Sequence, residues 1–389
     1  MVFKEKKGIA LVSALLILLA LSIIGVIAIN TTVTDTKISA NLKGIKQAFY
    51  IADAGISHAG ALLQENISTW DTYSLSIATT ALGDGSYSVT ASNVDGTNKK
   101  KVVSTGRTST GAKATIEAIF IRAKFTPDDA ITTNGDLRIS GNANILGSSG
   151  GVHSNGDLKV LGNPTIAQGG SASGTASPSP PYTSGASTVS IPEIDPTDFA
   201  SYADYKLDSD GNVYNSEGVI QPTTGGRWYG WDYNSGNQRW DKSSNDTPPP
   251  GNLYIEGDAT VSGNPGSVSV PWETTLIVTG DLEISGNPYI VDYTDPSDPI
   301  GVQNLLFVAG GELRISGNVT QTGKGIIAAY EGIKISGNPT LNGAIIGGNA
   351  TEDEENNISG NPTITYSGGL LSPFSSNTVS ILAWRQVSK

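Results

Sequence analysis

Few residues in this sequence have the types and spacing that catalysis needs. There are two histidines, His58 and His153, far apart in the chain, and no cysteine. No thiol nucleophile, paired-histidine metal motif or disulfide is therefore available. No phosphate-cradling glycine loop is present either, so the expectation is a protein that is not an enzyme and has no cofactor. The ionisable residues that recur at fixed spacing are acidic. Asp136, Asp157, Asp258, Asp281 and Glu312 each open the same short phrase, and Arg138, Lys159, Thr260, Glu283, Arg314 and Lys334 stand two places further on. On a strand, residues two apart share a face. This predicts an outward acidic column beside a largely basic one, neutralising it. Asp208-Ser-Asp210-Gly-Asn212 looks superficially like a calcium loop, but its glycine comes too early for an EF-hand and a hairpin turn fits it better. Glu352-Asp-Glu-Glu355 reads as a solvated loop. No metal site is expected. Half of the six tryptophans fall within thirteen residues, in a cluster of Trp228, Tyr229, Trp231, Tyr233 and Trp240. Trp228, Trp231, Tyr233 and Trp240 are candidates for surface recognition, by stacking on sugar rings or a partner, or else a small local core.

The elements that must position these residues are repetitive. The phrase Asp-Leu-x-Ile-Ser-Gly-Asn, with variants, ends in Gly-Asn pairs separated by 21, 101, 23, 31, 20 and 23 residues. A period near 20–23 is one coil of a solenoid. Apolar runs such as Leu276-Ile-Val278 precede the phrase and others such as Pro288-Tyr-Ile290 follow it. Three short strands per coil predict a parallel β-helix of about seven coils over residues 127–389. Gly-Asn would supply the bend, and stacked asparagines could form a hydrogen-bonded ladder. The gap of 101 predicts an insert at about 167–251 that can be removed without loss of the solenoid. Its Ser-, Gly- and Pro-rich start, Gly169–Ser190, reads as a linker.

Ahead of the repeats, Ser86–Asn93, Lys101–Gly106 and Ala112–Lys124 read as strands of a small antiparallel sheet within 66–126. A long helix is predicted over 9–65. Its first 21 residues, Ile9–Ile29, carry no charge and match the length that crosses a bilayer. The lysines before them place the N-terminus inside. Ile38, Leu42, Ile45, Phe49, Ala52, Ile56, Ala59 and Leu63 then mark one apolar stripe. Charge divides along the chain. Residues 1–126 carry 13 Lys and Arg against 8 Asp and Glu, the remainder 11 against 28. So acidic a module should repel nucleic acid.

The basic leader ending in Gly8, the apolar Ile9-Ala-Leu-Val-Ser13 with Leu15–Leu19, and Ala48-Phe-Tyr-Ile-Ala-Asp-Ala-Gly55 resemble the start of PilX-type minor pilins of the type IV pilus and pseudopilin group. In that resemblance Ala52, Asp53, Ala54 and Gly55 match the family's Ala-Glu-Ala-Gly element, with Asp53 in the glutamate position. Ile9 stands where phenylalanine is usual. Ser13, at mature position five, stands where most major pilins have glutamate. The resemblance implies that residues 1–8 are a leader cut by prepilin peptidase between Gly8 and Ile9. It also implies a precursor in the inner membrane, partnership with other pilin subunits, and a final place in a pilus at the cell surface. The function expected is that of a minor pilin at or near the filament tip, serving assembly and surface adhesion, with a surface or carbohydrate ligand and no nucleic acid. The alternatives are a large minor pseudopilin of a type II secretion system and a membrane-anchored β-helix that binds or cleaves carbohydrate.

Overall fold

Sixty residues, Lys6–Glu65, form one helix, α1, about 90 Å long at about 1.5 Å per residue. The computed structural model describes residues 6–70, 72–94, 99–294, 302–348 and 356–387. Most of the leader (1–5) and the Glu352–Glu355 run lie outside the described residues. The chain divides into two units, 1–122 with 378–389, and 123–377.

In the first unit, strands β1 (Ser76–Leu82), β2 (Gly85–Asn93), β3 (Lys99–Thr108) and β4 (Lys113–Lys124) pair antiparallel in sequence order. The C-terminal strand Ser375–Val387 adds beside β4 as the fifth. The boundary 127–389 thus needs correction: the end of the chain belongs to this sheet, not to the solenoid. Its mostly exposed side chains leave no alternating pattern to read. β1 was equally hidden, inside what reads as a polar connection, because its side chains are mostly exposed and its pairing slips register between Ile77 and Thr80.

Ala52, Ile56, Ala59 and Leu63 of α1 pack on Val89, Val102, Ile116, Ala118 and Phe120 of the sheet. Small residues make this contact close. A Cβ on Gly106 of β3 would sit 2.2 Å from the Ala48 carbonyl oxygen and 2.5 Å from the Ala52 nitrogen. The predicted stripe is therefore used only in its outer half; Ile38, Leu42 and Ile45 are exposed.

The second unit is a parallel solenoid of seven full coils. In chain order they are coil 1 (131–146), coil 2 (152–166), coil 3 (251–273), coil 4 (276–291), coil 5 (305–321), coil 6 (326–342) and coil 7 (345–365). Their order in space differs. Strand pairing runs 3-4-5-6-7-1-2, with coil 7 registered on coil 1 through Ile345↔Ile131, Asn357↔Arg138 and Ile364↔Ile145. The chain enters the stack one coil short of one end, winds out through coils 1 and 2, and crosses to the opposite end. From there it winds back to meet its own start. Phe125, at the entrance, exchanges backbone hydrogen bonds with Ser372 and Phe374 at the exit.

This order overturns the removable insert. Gly170–Ala172 and Ala176–Ser177 add a further half-coil beyond coil 2. Tyr205–Leu207 and Arg239–Lys242 form the half-coil before coil 3. Eight coil steps of about 4.8 Å separate the two, about 38 Å, which a short joining loop cannot span. The segment between them is a strap, not a linker. It bonds coil 2 through Asn155 and Val189 (2.8 Å in both directions). It then passes Pro196 over Gly310 of coil 5 and reaches coil 3, where Asp204 accepts from the Asn252 N–H at 2.8 Å.

Two kinds of strand make up the coils. Leu305–Ala309, Ile326–Ala329 and Ile345–Gly347 are buried on both faces, which suits their unbroken, largely apolar runs. The phrase strands keep one open face and alternate, as in Leu137-Arg-Ile139. At the corners, Gly141, Gly162, Gly337 and Gly360 take positive φ. Gly286 and Gly317 do not; there stacking alone excludes a side chain, since a Cβ would lie 2.0 and 1.8 Å from the glycine oxygen of the coil below. The asparagine ladder is present. Asn264, Asn287, Asn318, Asn338, Asn361 and Asn142 are linked side chain to side chain at 2.7–3.2 Å, the last link crossing from coil 7 to coil 1.

Candidate functional site

The acidic column does a different task from the one its spacing suggests. Asp136 accepts from the Asp157 N–H (2.8 Å), Asp157 from Thr175 (2.7 Å), Asp258 from Asp281 (2.9 Å) and Asp281 from Glu312 (2.8 Å). Each carboxylate satisfies a corner amide of the next coil. Charge pairing with the second column occurs at Glu312, which is buried and holds Arg314 at 2.5 Å and Lys334 at 3.0 Å. His153 is likewise structural: buried, its ring nitrogens meet Ser171 Oγ at 2.8 Å and Asn155 Oδ1 at 3.0 Å. His58 lies 2.8 Å from the Tyr87 hydroxyl. Asp208 accepts from the backbone N–H of Asp210 and Asn212, closing the turn of a β-hairpin as its sequence predicts. Among the described residues, no group of three acidic or histidine side chains is placed to hold a metal.

Three of the four candidate aromatics are core. Trp228, Trp231 and Trp240 are at most 2% exposed, and Tyr233 is half-buried with its ring 5.2 Å from that of Trp240. They close the coil 3 end of the stack, where an open solenoid would otherwise expose its apolar interior. The Trp240 indole also donates to the Asp208 carbonyl at 2.9 Å. Buried in this way, these indoles offer no open face on which a ligand could stack. Tyr229 is 47% exposed and sits at the tip of a two-residue turn. Trp228 and Trp231 exchange both backbone hydrogen bonds, at 3.0 and 2.8 Å, across Tyr229 (φ 47°) and Gly230 (φ 81°). Positive φ at both central positions defines a type I′ turn, which favours Asn, Asp or Gly. A tyrosine in the first of them costs about 1–3 kcal/mol.

Tyr229 borders a cleft of about 710 Å³, lined also by Gln221, Pro222, Thr224, Arg227, Ser244, Asp246, Thr247 and Pro249. Its floor is fixed from below. The buried Lys242 Nζ donates to the Ser244 carbonyl at 2.6 Å and lies 3.3 Å from Ser244 Oγ, which donates to Asp246 at 2.9 Å. Burial pulls the Lys242 pKa down to about 8. Arg227 pairs with Asp232 at 3.4 Å on the rim. The sequence offers one signal for this cleft, a tyrosine where a tight turn wants Asn or Gly; the lining loops carry none.

At the other site, Gly8 and Ile9 lie within α1, and Ser13 is exposed on it. The helix contains a stretch long and apolar enough to cross a membrane, with a mean hydropathy of 3.0. In the Ala-Asp-Ala-Gly element, Ala52 and Gly55 are buried against the sheet and Asp53 is exposed. A Cβ on Gly55 would lie 2.2 Å from Ser104 Oγ, so the element's small residues set the helix–sheet distance.

Residues 7–57 match the PilX N-terminal family model. Over that segment the chain is similar to the N-terminal part of PilX-type minor pilins, and the segment lies on the helix that is long and apolar enough to cross a membrane. No curated protein matches the chain. Among solved structures, the competence-associated pilin ComZ from Thermus thermophilus is 12% identical with a TM-score of 0.31, covering 88% of this chain and 97% of that one. At that score the likeness carries no structural argument.

Proposed function

We propose that this chain is a minor pilin that sits at or near the tip of a type IV pilus-like filament and contributes to assembly and surface adhesion. One observation carries the reading. The PilX-like segment coincides with a helix whose outer half is clasped by a sheet, while its remaining apolar side chains, Leu11 to Ile45, face outward without a partner. Such a face suits a membrane first and neighbouring pilin helices later. The tip position is supported by Ser13. An unpaired charge in an apolar bundle costs several kcal/mol, and Ser13 cannot neutralise a neighbour's terminal ammonium. A subunit with no neighbour beyond it loses nothing by that. A solenoid repeated along a packed shaft would also crowd it. The reading assigns the chain no reaction of its own.

Processing by prepilin peptidase between Gly8 and Ile9 tests the class. Intact-mass analysis of membrane-extracted protein should give a chain beginning at Ile9, and an uncut chain in the presence of active peptidase refutes it. Immunogold labelling of sheared filaments tests the position: label at one end supports the tip, and even label along the shaft rules it out.

A further inference from the structure

We propose that the Tyr229 cleft at the coil 3 end of the solenoid is a binding site for a neutral glycan, with the Tyr229 ring as its stacking platform. The proposal deepens the adhesion part of the function above and rests on it for its biological setting.

Five observations lead there. The cleft, about 710 Å³, falls in the range of about 300–1,000 Å³ usual for small-ligand sites. Its lining is mixed. Gln221, Thr224, Ser244, Asp246 and Thr247 offer both donors and acceptors, and Tyr229 and the two prolines offer apolar surface. That balance matches a sugar ring, which presents hydroxyls at its edge and C–H groups on its faces. An extended peptide would instead look for an apolar pocket or an open strand edge.

The platform is held rigid. The buried Trp228 ring meets Tyr229 edge-on at 5.4 Å and 85°, and Trp228 itself packs on Tyr205 at 4.9 Å. A fixed aromatic ring loses little entropy when a ligand stacks on it. Tyr229 also occupies a left-handed backbone position that disfavours it, and such local strain clusters at ligand sites. Finally, the charges select against anions. Arg227, the lining cation, is already paired with Asp232, Asp246 is an acid, and residues 127–389 carry 11 basic against 28 acidic side chains. An anionic polymer would be repelled.

The test uses the full chain in detergent, with cellohexaose, chitohexaose and mannohexaose as probes and dextran sulfate as the anionic control, read by calorimetry. At least one neutral oligomer should bind and dextran sulfate should not. Tyr229→Ala should weaken that binding tenfold or more. Tyr229→Asn should weaken it as much while melting at or above the wild-type temperature, because Asn suits the turn. This separates lost binding from lost folding. No binding of any neutral oligomer, retention of affinity within twofold in Tyr229→Asn, or binding of dextran sulfate or of an unstructured peptide library in the cleft would each overturn the proposal. Cleavage at Gly8 is measured independently, so failure here leaves the pilin reading intact.

Discussion

The seam between coil 7 and coil 1 can be tested by a crosslink that only one coil order permits. Arg138 and Asn357 are register partners on adjacent parallel strands, about 4.8 Å apart, within the Cα separation of about 4.4–6.8 Å that a disulfide accepts. In a stack that followed chain order, six coil steps would separate them by about 29 Å. The chain has no cysteine of its own, so in the double variant Arg138→Cys/Asn357→Cys any intramolecular bridge must join these two positions. It would close a loop of about 220 residues, and the loop-entropy relation gives about 5 kcal/mol of stabilisation. The oxidised variant should yield a crosslinked tryptic peptide spanning the two positions, and its guanidinium midpoint should rise and fall back on reduction. Arg138→Cys/Lys159→Cys, partners in either order, is the control. If the control pair forms its bridge and the seam pair does not, the order 3-4-5-6-7-1-2 is wrong.

Two further outcomes follow from the same stack. Gly286→Ala should destabilise the solenoid by about 1–3 kcal/mol in denaturant titration, since the new methyl would meet a backbone oxygen that cannot move aside; an unchanged midpoint would mean that the corners have slack. The Lys242 ammonium, held down to about pKa 8 by burial against an ordinary 10.5, gives a pH signature. Between these values the unfolded chain binds the proton and the folded chain does not, so stability should climb as pH rises from about 8 towards 10.5. Lys242→Met should flatten that rise, and a rise that survives in Lys242→Met assigns it to other groups.

What could be read from the residues depended on whether a local pattern had one physical solution. Leu-x-Ile followed by Gly-Asn has one: an alternating strand and a bend that tolerates no Cβ. The coil, the count of seven and the asparagine ladder could therefore be read directly. The order of coils could not, because each presents nearly the same edge above and below, so coil 7 accepts coil 1 as readily as it would an eighth. The strap was misread for a related reason. The Ser, Gly and Pro composition of Gly169–Ser190 is that of a flexible linker, yet Ala172 and Ala176 are buried, both lie on strands paired to coil 2, and Val189 bonds Asn155 in both directions. The tryptophan cluster was legible as an aromatic concentration, surface or core, but not which ring would be left outside. That was set by a turn type visible only as backbone angles.

The permuted winding has a consequence for biogenesis. A chain made from its N-terminus onward presents coils 1 and 2 first, but the strand that coil 1 must pair with, in coil 7, follows about 210 residues later. Until then the lower edge of coil 1 is an open row of amide and carbonyl groups, able to pair with another nascent copy. Coils 3 to 6 can meanwhile zip in order, each on the one before. Coil 7 then enters as a keystone, closing two half-stacks at once, and no shorter chain can do so. Topology of this kind slows folding, and the stack is complete only when the last coil has arrived.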